Sequence, residues 1–230
     1  MDLREIRALI RHRLSIVKIR TMVKNKIHSL IDKNGIETEL ENNLFTKKGM
    51  EWLKSLQFQS SPLDRLMLDN YLEHLGSLRH QIKTVDQEIL SKATEDEDVR
   101  LLLSLTGVSI YTALLLKSEI GDIKRFPNYK KLVSWAGLAP SMHQSGSVEY
   151  YGRITKQGSR MIRWIMVESA RVAVNHDERL KSFYERIKYR RGDQKAIVAT
   201  ANKMLKIIWT MLTRREPYES RNEKKLREKA

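Results

Sequence analysis

The chain has 230 residues, 43 Lys+Arg against 28 Asp+Glu and no Cys, for a formal net charge of +15. A hydrophobic content of 41% over this length can build the core of one or two domains without covalent staples. The lack of cysteine excludes disulfide frameworks, thiolate metal centres and cysteine nucleophiles.

No apolar run approaches the roughly 18 residues of a membrane span, and the start, Asp2-Leu3-Arg4-Glu5-Ile6-Arg7, lacks the apolar stretch of a signal peptide. A soluble, intracellular protein without membrane contact is therefore expected. Excess positive charge favours polyanions, nucleic acid first, because Lys and Arg that neutralise phosphates release condensed counterions.

Residues 1–30 carry eight Lys/Arg against Asp2 and Glu5. Leu3, Ile6, Ile10 and Val17, then Ile16, Ile19, Val23, Ile27 and Leu30, recur at three-or-four spacing and predict a basic amphipathic helix. Asn34-Gly35 supplies its stop. Residues 41–100 invert the charge balance, with eight basic and eleven acidic side chains. They also hold a heptad: Leu68, Leu75, Ile82 and Ile89 at one position, Tyr71, Leu78 and Val85 at another. Ser61-Pro62 marks its start. This seam suits either packing against the first helix or a zipper between two copies of the chain. The acidic run Glu95-Asp96-Glu97-Asp98 reads as a solvated separator.

The stretch Leu102 to Leu116, with Thr106-Gly107-Val108-Ser109 at its centre, has a helix-hairpin-helix-like pattern. In such a turn the N–H groups at the second helix's start can grip phosphate without reading sequence, which makes Gly107 and Ser109 candidate contacts. A glycine turn joining two packed helices fits the same residues. A short helix follows, closed by Gly137 and Pro140, then a polar, small loop, Ser141-Met142-His143-Gln144-Ser145-Gly146-Ser147. Residues 151–215 hold sixteen basic against five acidic side chains. Two helical stripes run through them: Ile162, Ile165, Ser169 and Val172, and Ile197, Thr200, Met204, Ile207, Ile208 and Met211.

A serine that attacks phosphorus needs an exposed loop, room for a phosphodiester, and cations that stabilise the charge growing on the phosphoryl oxygens. Ser145 has Gly146 beside it and Arg153, Lys156, Arg160 and Arg163 after it. The same composition suits a flexible turn. His143 has no carboxylate at a triad-like spacing and reads as a loop residue or a DNA contact. The acids fall on exposed helix positions, with no strand-borne set for Mg²⁺, so no cofactor is expected in this chain. Trp135, Trp164 and Trp209 read as core.

The run from Leu102 to about Tyr218, with Gly107-Val108, Phe126-Pro127, Trp135 to Pro140, Gln144-Ser145-Gly146, Gly152 to Lys156 and Gly158 to Arg163, resembles the C-terminal domain of the insertion-sequence transposase family IS110/IS116/IS902. Arg11-His12-Arg13 and the run from Arg20 to His28 are similar to that family's linker helix. The ordered succession of these motifs carries the resemblance. It implies a DNA recombinase in which Ser145 forms a covalent phosphoserine link, with a structured guide RNA in some members. Family members also carry, before the linker helix, an acidic resolvase-like domain that binds Mg²⁺. This chain starts after where that domain should end, so the resemblance implies that half of a composite, Mg²⁺-binding site is absent: the gene is truncated, the domain comes from another polypeptide, or the protein only binds nucleic acid.

The expected architecture is mainly α. It comprises a long basic helix and a coiled-coil-like hairpin over 1–98, a compact helical domain over 99–215, and a polar tail over 216–230, with a short β-hairpin around Val148-Glu149-Tyr150-Tyr151. DNA, a guide RNA and further copies of the chain, as dimer or tetramer, are the expected partners, and the nucleoid region of the cytoplasm the expected location. The competing reading is a catalytically silent, basic helical DNA- or RNA-binding protein that dimerises through the Leu68–Ile89 seam. A purely structural coiled coil leaves the basic residues of 151–215 unexplained.

Overall fold

The computed structural model describes residues 2–37, 44–56, 62–94, 96–145 and 148–219, with the backbone alone at 142–145 and 148–151. The described chain is mainly α: α1 (Leu3–Lys33), α2 (Lys47–Ser55), α3 (Pro62–Thr94), α4 (Glu97–Leu103), α5 (Ile110–Ile120), α6 (Tyr129–Trp135), a hairpin of β1 (Pro140–Ser145) and β2 (Val148–Ile154), then α7 (Arg160–His176), α8 (Glu178–Arg191) and α9 (Asp193–Arg214). No described helix is long and apolar enough to cross a membrane. The predicted segments Ser61, Glu95, Gly146-Ser147 and 220–230 lie outside the described residues.

Two compact units divide the chain, one of residues 11–88 and one of residues up to Ile10 with those from Ile89 on. In the first, the heptad of α3 is filled from within. Leu68, Leu75, Leu78 and Ile82 join Ile16, Val23, Ile27, Leu30 and Ile31 of α1 and Leu53 of α2 in one buried cluster, with Tyr71 and Val85 packed against it. Packing against the first helix, one of the two uses of this seam, is therefore seen within the chain. Ile19, expected on the buried stripe, is instead exposed.

Pairing at both ends fixes the two helices as antiparallel. Arg13 binds Asp86 through its guanidinium, while at the other end Lys33 Nζ lies 3.0 Å from Asp64 Oδ1. Asn34 Nδ2 also donates to Asp64 Oδ2 at 2.9 Å. Asp64 is only 2% exposed, and the hydrogen bonds from Asn34 and then Lys33 hold its carboxyl below the usual range against the opposing effect of burial. A depressed folded-state value stabilises the fold above the carboxylate's ordinary pKa and is lost as pH falls through the folded value. Melting temperature should therefore fall on acidification more steeply for the wild type than for Asp64→Asn, and parallel acid limbs would contradict this linkage.

In the second unit most helices start on a side-chain cap. Asp96, Ser109, Asn128, Ser159 and Asp177 each accept the N–H three residues on, for α4, α5, α6, α7 and α8 respectively. Each such cap contributes about 1 kcal/mol. Helix α5 is buried almost all round, and α7 and α9 present Ile162, Ile165, Met166, Ser169, Ala170 and Ala173 against Ile197, Ala201, Met204, Leu205 and Ile208. Val172, expected on the α7 stripe, is exposed, and Ala173 takes the buried position.

The acidic run is not a free solvated face. Asp96 caps α4, and Asp98 pairs with both Lys117 and Arg215. Beyond Pro217, Tyr218 is buried, its hydroxyl donating to Asp177 Oδ2 at 2.8 Å and its backbone N–H donating to Ser104 Oγ at 2.8 Å.

Candidate functional site

The loop after α6 is largely strand. In the antiparallel hairpin Met142 pairs with Tyr151, His143 with Tyr150, Gln144 with Glu149 and Ser145 with Val148. Ser145 is thus the last residue of β1, at the far end of the hairpin. Pro140 pairs with Ile154, so between that pair and Met142–Tyr151 the second strand has one extra residue. Gly152 and Arg153 together oppose Ser141, a bulge of the kind that re-aims a strand's side chains. Arg153 is exposed there.

The hairpin base is pinned to the end of α6. Thr155 N–H donates to Ala139 O at 3.0 Å and Lys156 N–H to Gly137 O at 3.3 Å. From α7, Arg163 Nη1 donates to Ala136 O at 3.3 Å and Lys156 O at 3.1 Å. Of the four predicted cations, Arg163 therefore braces the backbone that enters and leaves the hairpin. Arg153, Lys156 and Arg160 are exposed. Arg160 opens α7, whose N-cap Ser159 also donates to Glu119 Oε2 at 3.4 Å.

Gly107 and Ser109 lie in the α4–α5 turn, apart from these residues in the sequence and engaged within the fold. A Cβ on Gly107 would sit 2.4 Å from Ser169 O and 3.0 Å from Ala173 Cβ, so this glycine lets the turn approach α7. Ser109 Oγ accepts Thr112 N–H at 3.2 Å and lies 3.0 Å from Thr112 Oγ1, capping its own helix.

Trp164 corrects a core expectation. It is 45% exposed, and one helical turn after Arg160 and two before Arg171 it forms a row on the outer face of α7. The signal was available, because at 100° per residue position 164 points away from Ile162, Ile165, Met166 and Ser169. Trp135 and Trp209 keep to the interior, half-buried: Trp135 packs on Phe126 with ring centroids 5.3 Å apart, and Trp209 Nε1 donates to Phe126 O at 3.0 Å.

The acids also differ from their expected exposed positions, since Asp64, Glu119 and Asp177 are buried. Each is engaged: Glu119 lies 3.7 Å from Arg7 Nε, and Asp177 Oδ1 caps α8. Among the described residues no group of three or more His, Asp or Glu can hold a metal ion.

Residues 99–185, which span the α4–α5 turn, the hairpin and α7, match the model of the transposase IS116/IS110/IS902 family. Along most of its length the chain is also similar to transposases. It is 29% identical over 222 residues to the transposase for insertion sequence element IS1111A of Coxiella burnetii, covering 95% of this chain and 61% of that protein. To the transposase for insertion sequence element IS1328 of Yersinia enterocolitica it is 26% identical, covering 92% and 64%. An uncharacterized 43.6 kDa protein of insertion element IS110 from Streptomyces coelicolor is 31% identical, over 68% of this chain and 39% of that protein. The chain thus spans about three fifths of the length of the first two relatives. Within it the transposase region contains Ser145 and all four cations that follow it.

Proposed function

We propose that this chain cleaves and rejoins DNA strands in transposition, with Ser145 as the nucleophile. The reading rests on one observation: Ser145 ends β1 at the far end of a hairpin whose base is pinned by backbone hydrogen bonds and by Arg163, and whose second strand leads within six residues into the basic start of α7. The match of residues 99–185 to the model of a transposase family supports it.

In this mechanism Ser145 Oγ attacks a DNA phosphorus. An Oγ–P bond forms as the P–O3′ bond breaks, the hydroxyl proton passes to solvent, and the departing 3′ oxygen takes up a proton. Rejoining is the reverse step with another 3′ hydroxyl. One phosphodiester is exchanged for another, so no external energy source is required. Arg153, Lys156 and Arg160 stabilise the charge that develops on the phosphoryl oxygens, and Arg163 positions the loop that carries Lys156.

The test uses labelled insertion-sequence end DNA with Mg²⁺, with the chain alone and with the family's acidic resolvase-like domain added in trans, resolved on denaturing gels. Ser145→Ala is expected to abolish the protein–DNA adduct while leaving affinity nearly unchanged, since one neutral hydroxyl adds little to a contact dominated by phosphate charge. Equal adduct in the variant and the wild type would move the nucleophile elsewhere.

A further inference from the structure

A band of cations lies outside the hairpin, where α8 packs on α9. Arg179, Arg186 and Arg190 recur along one face of α8 at helical spacing. Phe183 lies among them, and from α9 Lys203 Nζ sits 4.1 Å from the centroid of its ring. Arg186 Cζ approaches the same ring at 5.6 Å. One turn along α9, Lys206 Nζ lies 4.7 Å from the ring of Tyr129 on α6.

Among the described residues no acid forms an ion pair with Arg179, Arg186, Lys203 or Lys206. Asp177, the carboxylate that acts on Lys203, is buried and already takes Leu180 N–H and the Tyr218 hydroxyl. Glu178 and Glu185 precede the arginines by one residue and so step about 100° round the helix. Burial, and then repulsion from Arg179 and Arg186, hold Lys203 below the usual lysine range. Bringing these like charges together costs free energy in the free protein, and a polyanion laid on them would recover it.

The band also adjoins the hairpin. Asn202, next to Lys203, donates from Nδ2 to Leu138 O at 3.2 Å, two residues before β1 begins. Phe183 is half-buried under two cations, so the band offers charge and hydrogen-bond donors without a stacking face at that point. That is the chemistry of sequence-independent phosphate contact.

We propose that Arg179, Arg186, Lys203 and Lys206 form a track for the phosphodiester backbone of duplex DNA, holding the duplex beside the hairpin that carries Ser145. The choice of DNA rests on the reading of that hairpin as a DNA-cleaving site.

The test measures equilibrium binding of the full chain to duplex DNA and to duplex RNA over a salt series. Arg186→Gln with Lys203→Gln is expected to weaken DNA binding about tenfold and to make the slope of log affinity against log salt shallower by about two, near 0.9 per phosphate contact. The pair Arg179→Gln with Lys206→Gln leaves Phe183 covered and should act alike. Because each pair relieves repulsion, its melting temperature should match or exceed the wild type's. A wild-type slope for DNA in both pairs would overturn the track, and a change confined to RNA would make it an RNA surface. Adduct formation is read separately: persistence of adduct in Ser145→Ala would remove the nucleophile, while a reduced DNA slope in the paired variants would still support the track.

Discussion

Replacing Gly158 with alanine is expected to destabilise the transposase region by more than about 3 kcal/mol, the range in which backbone strain and overpacking act together. Gly158 has φ +102°, and a Cβ there would sit 1.7 Å from Trp135 O and 2.8 Å from Trp135 C. Neither neighbour is the flexible end of a side chain. The segment leaving the hairpin would have to lift off the end of α6, which would also part Lys156 N–H from Gly137 O and Arg163 from its two carbonyls. Chemical denaturation gives the stability, and limited proteolysis near residues 154–159 gives the local opening. The same substitution at Gly76, in mid-α3 with nothing within 4 Å of its Cβ, should instead stabilise by roughly 0.5–1 kcal/mol. Equal effects at the two sites would contradict the close approach at Gly158.

Leu75→Asp should be comparably damaging in the other unit. Leu75 is 0% exposed within the cluster that joins α1, α2 and α3, and the change removes a core side chain while leaving a carboxylate without partners. A loss of about 5 kcal/mol follows from the cavity and the burial of a polar group together. Leu66 lies on the same helix but is 57% exposed, so Leu66→Asp should stay within about 0.5 kcal/mol. The pair separates the two uses of the heptad, because sedimentation of Leu75→Asp should report an unfolded unit rather than a folded chain that has lost a partner. A folded Leu75→Asp with reduced mass would restore the intermolecular zipper.

The helices were the legible part of the fold, and the reasons are local. The α1 stripe, the heptad and the two stripes of 151–215 recur at helical spacing, and Asn34-Gly35, Pro62 and Gly137 mark boundaries with known backbone chemistry. Which surface each stripe meets was not legible, because Leu75 presents the same side chain to a partner in its own chain or in another. The hairpin was legible only in part. Val148 to Tyr151 reads as strand from its β-branched and aromatic residues, whereas Ser141 to Ser145 has no such bias and becomes β1 only through pairing with β2.

Charge was legible along the sequence but its grouping in space was not. Arg153, Lys156, Arg160 and Arg163 all follow Ser145 within 18 positions of the sequence. Yet Arg163 is turned to backbone carbonyls, while Arg186 and Lys203, 17 positions apart in the sequence, meet over one phenylalanine ring. The burial of Asp177 and Glu119 depends on Tyr218, Arg7 and Ser159, which come from distant segments. No spacing rule connects them.

The proposed nucleophile is a single oxygen atom, and mass spectrometry of the proteolysed protein–DNA adduct reads it directly. The account predicts a nucleotide phosphate on a peptide containing Ser145, with fragment ions that assign the added mass to that residue. A phosphate on Ser141, Ser147 or either of Tyr150 and Tyr151 would contradict it.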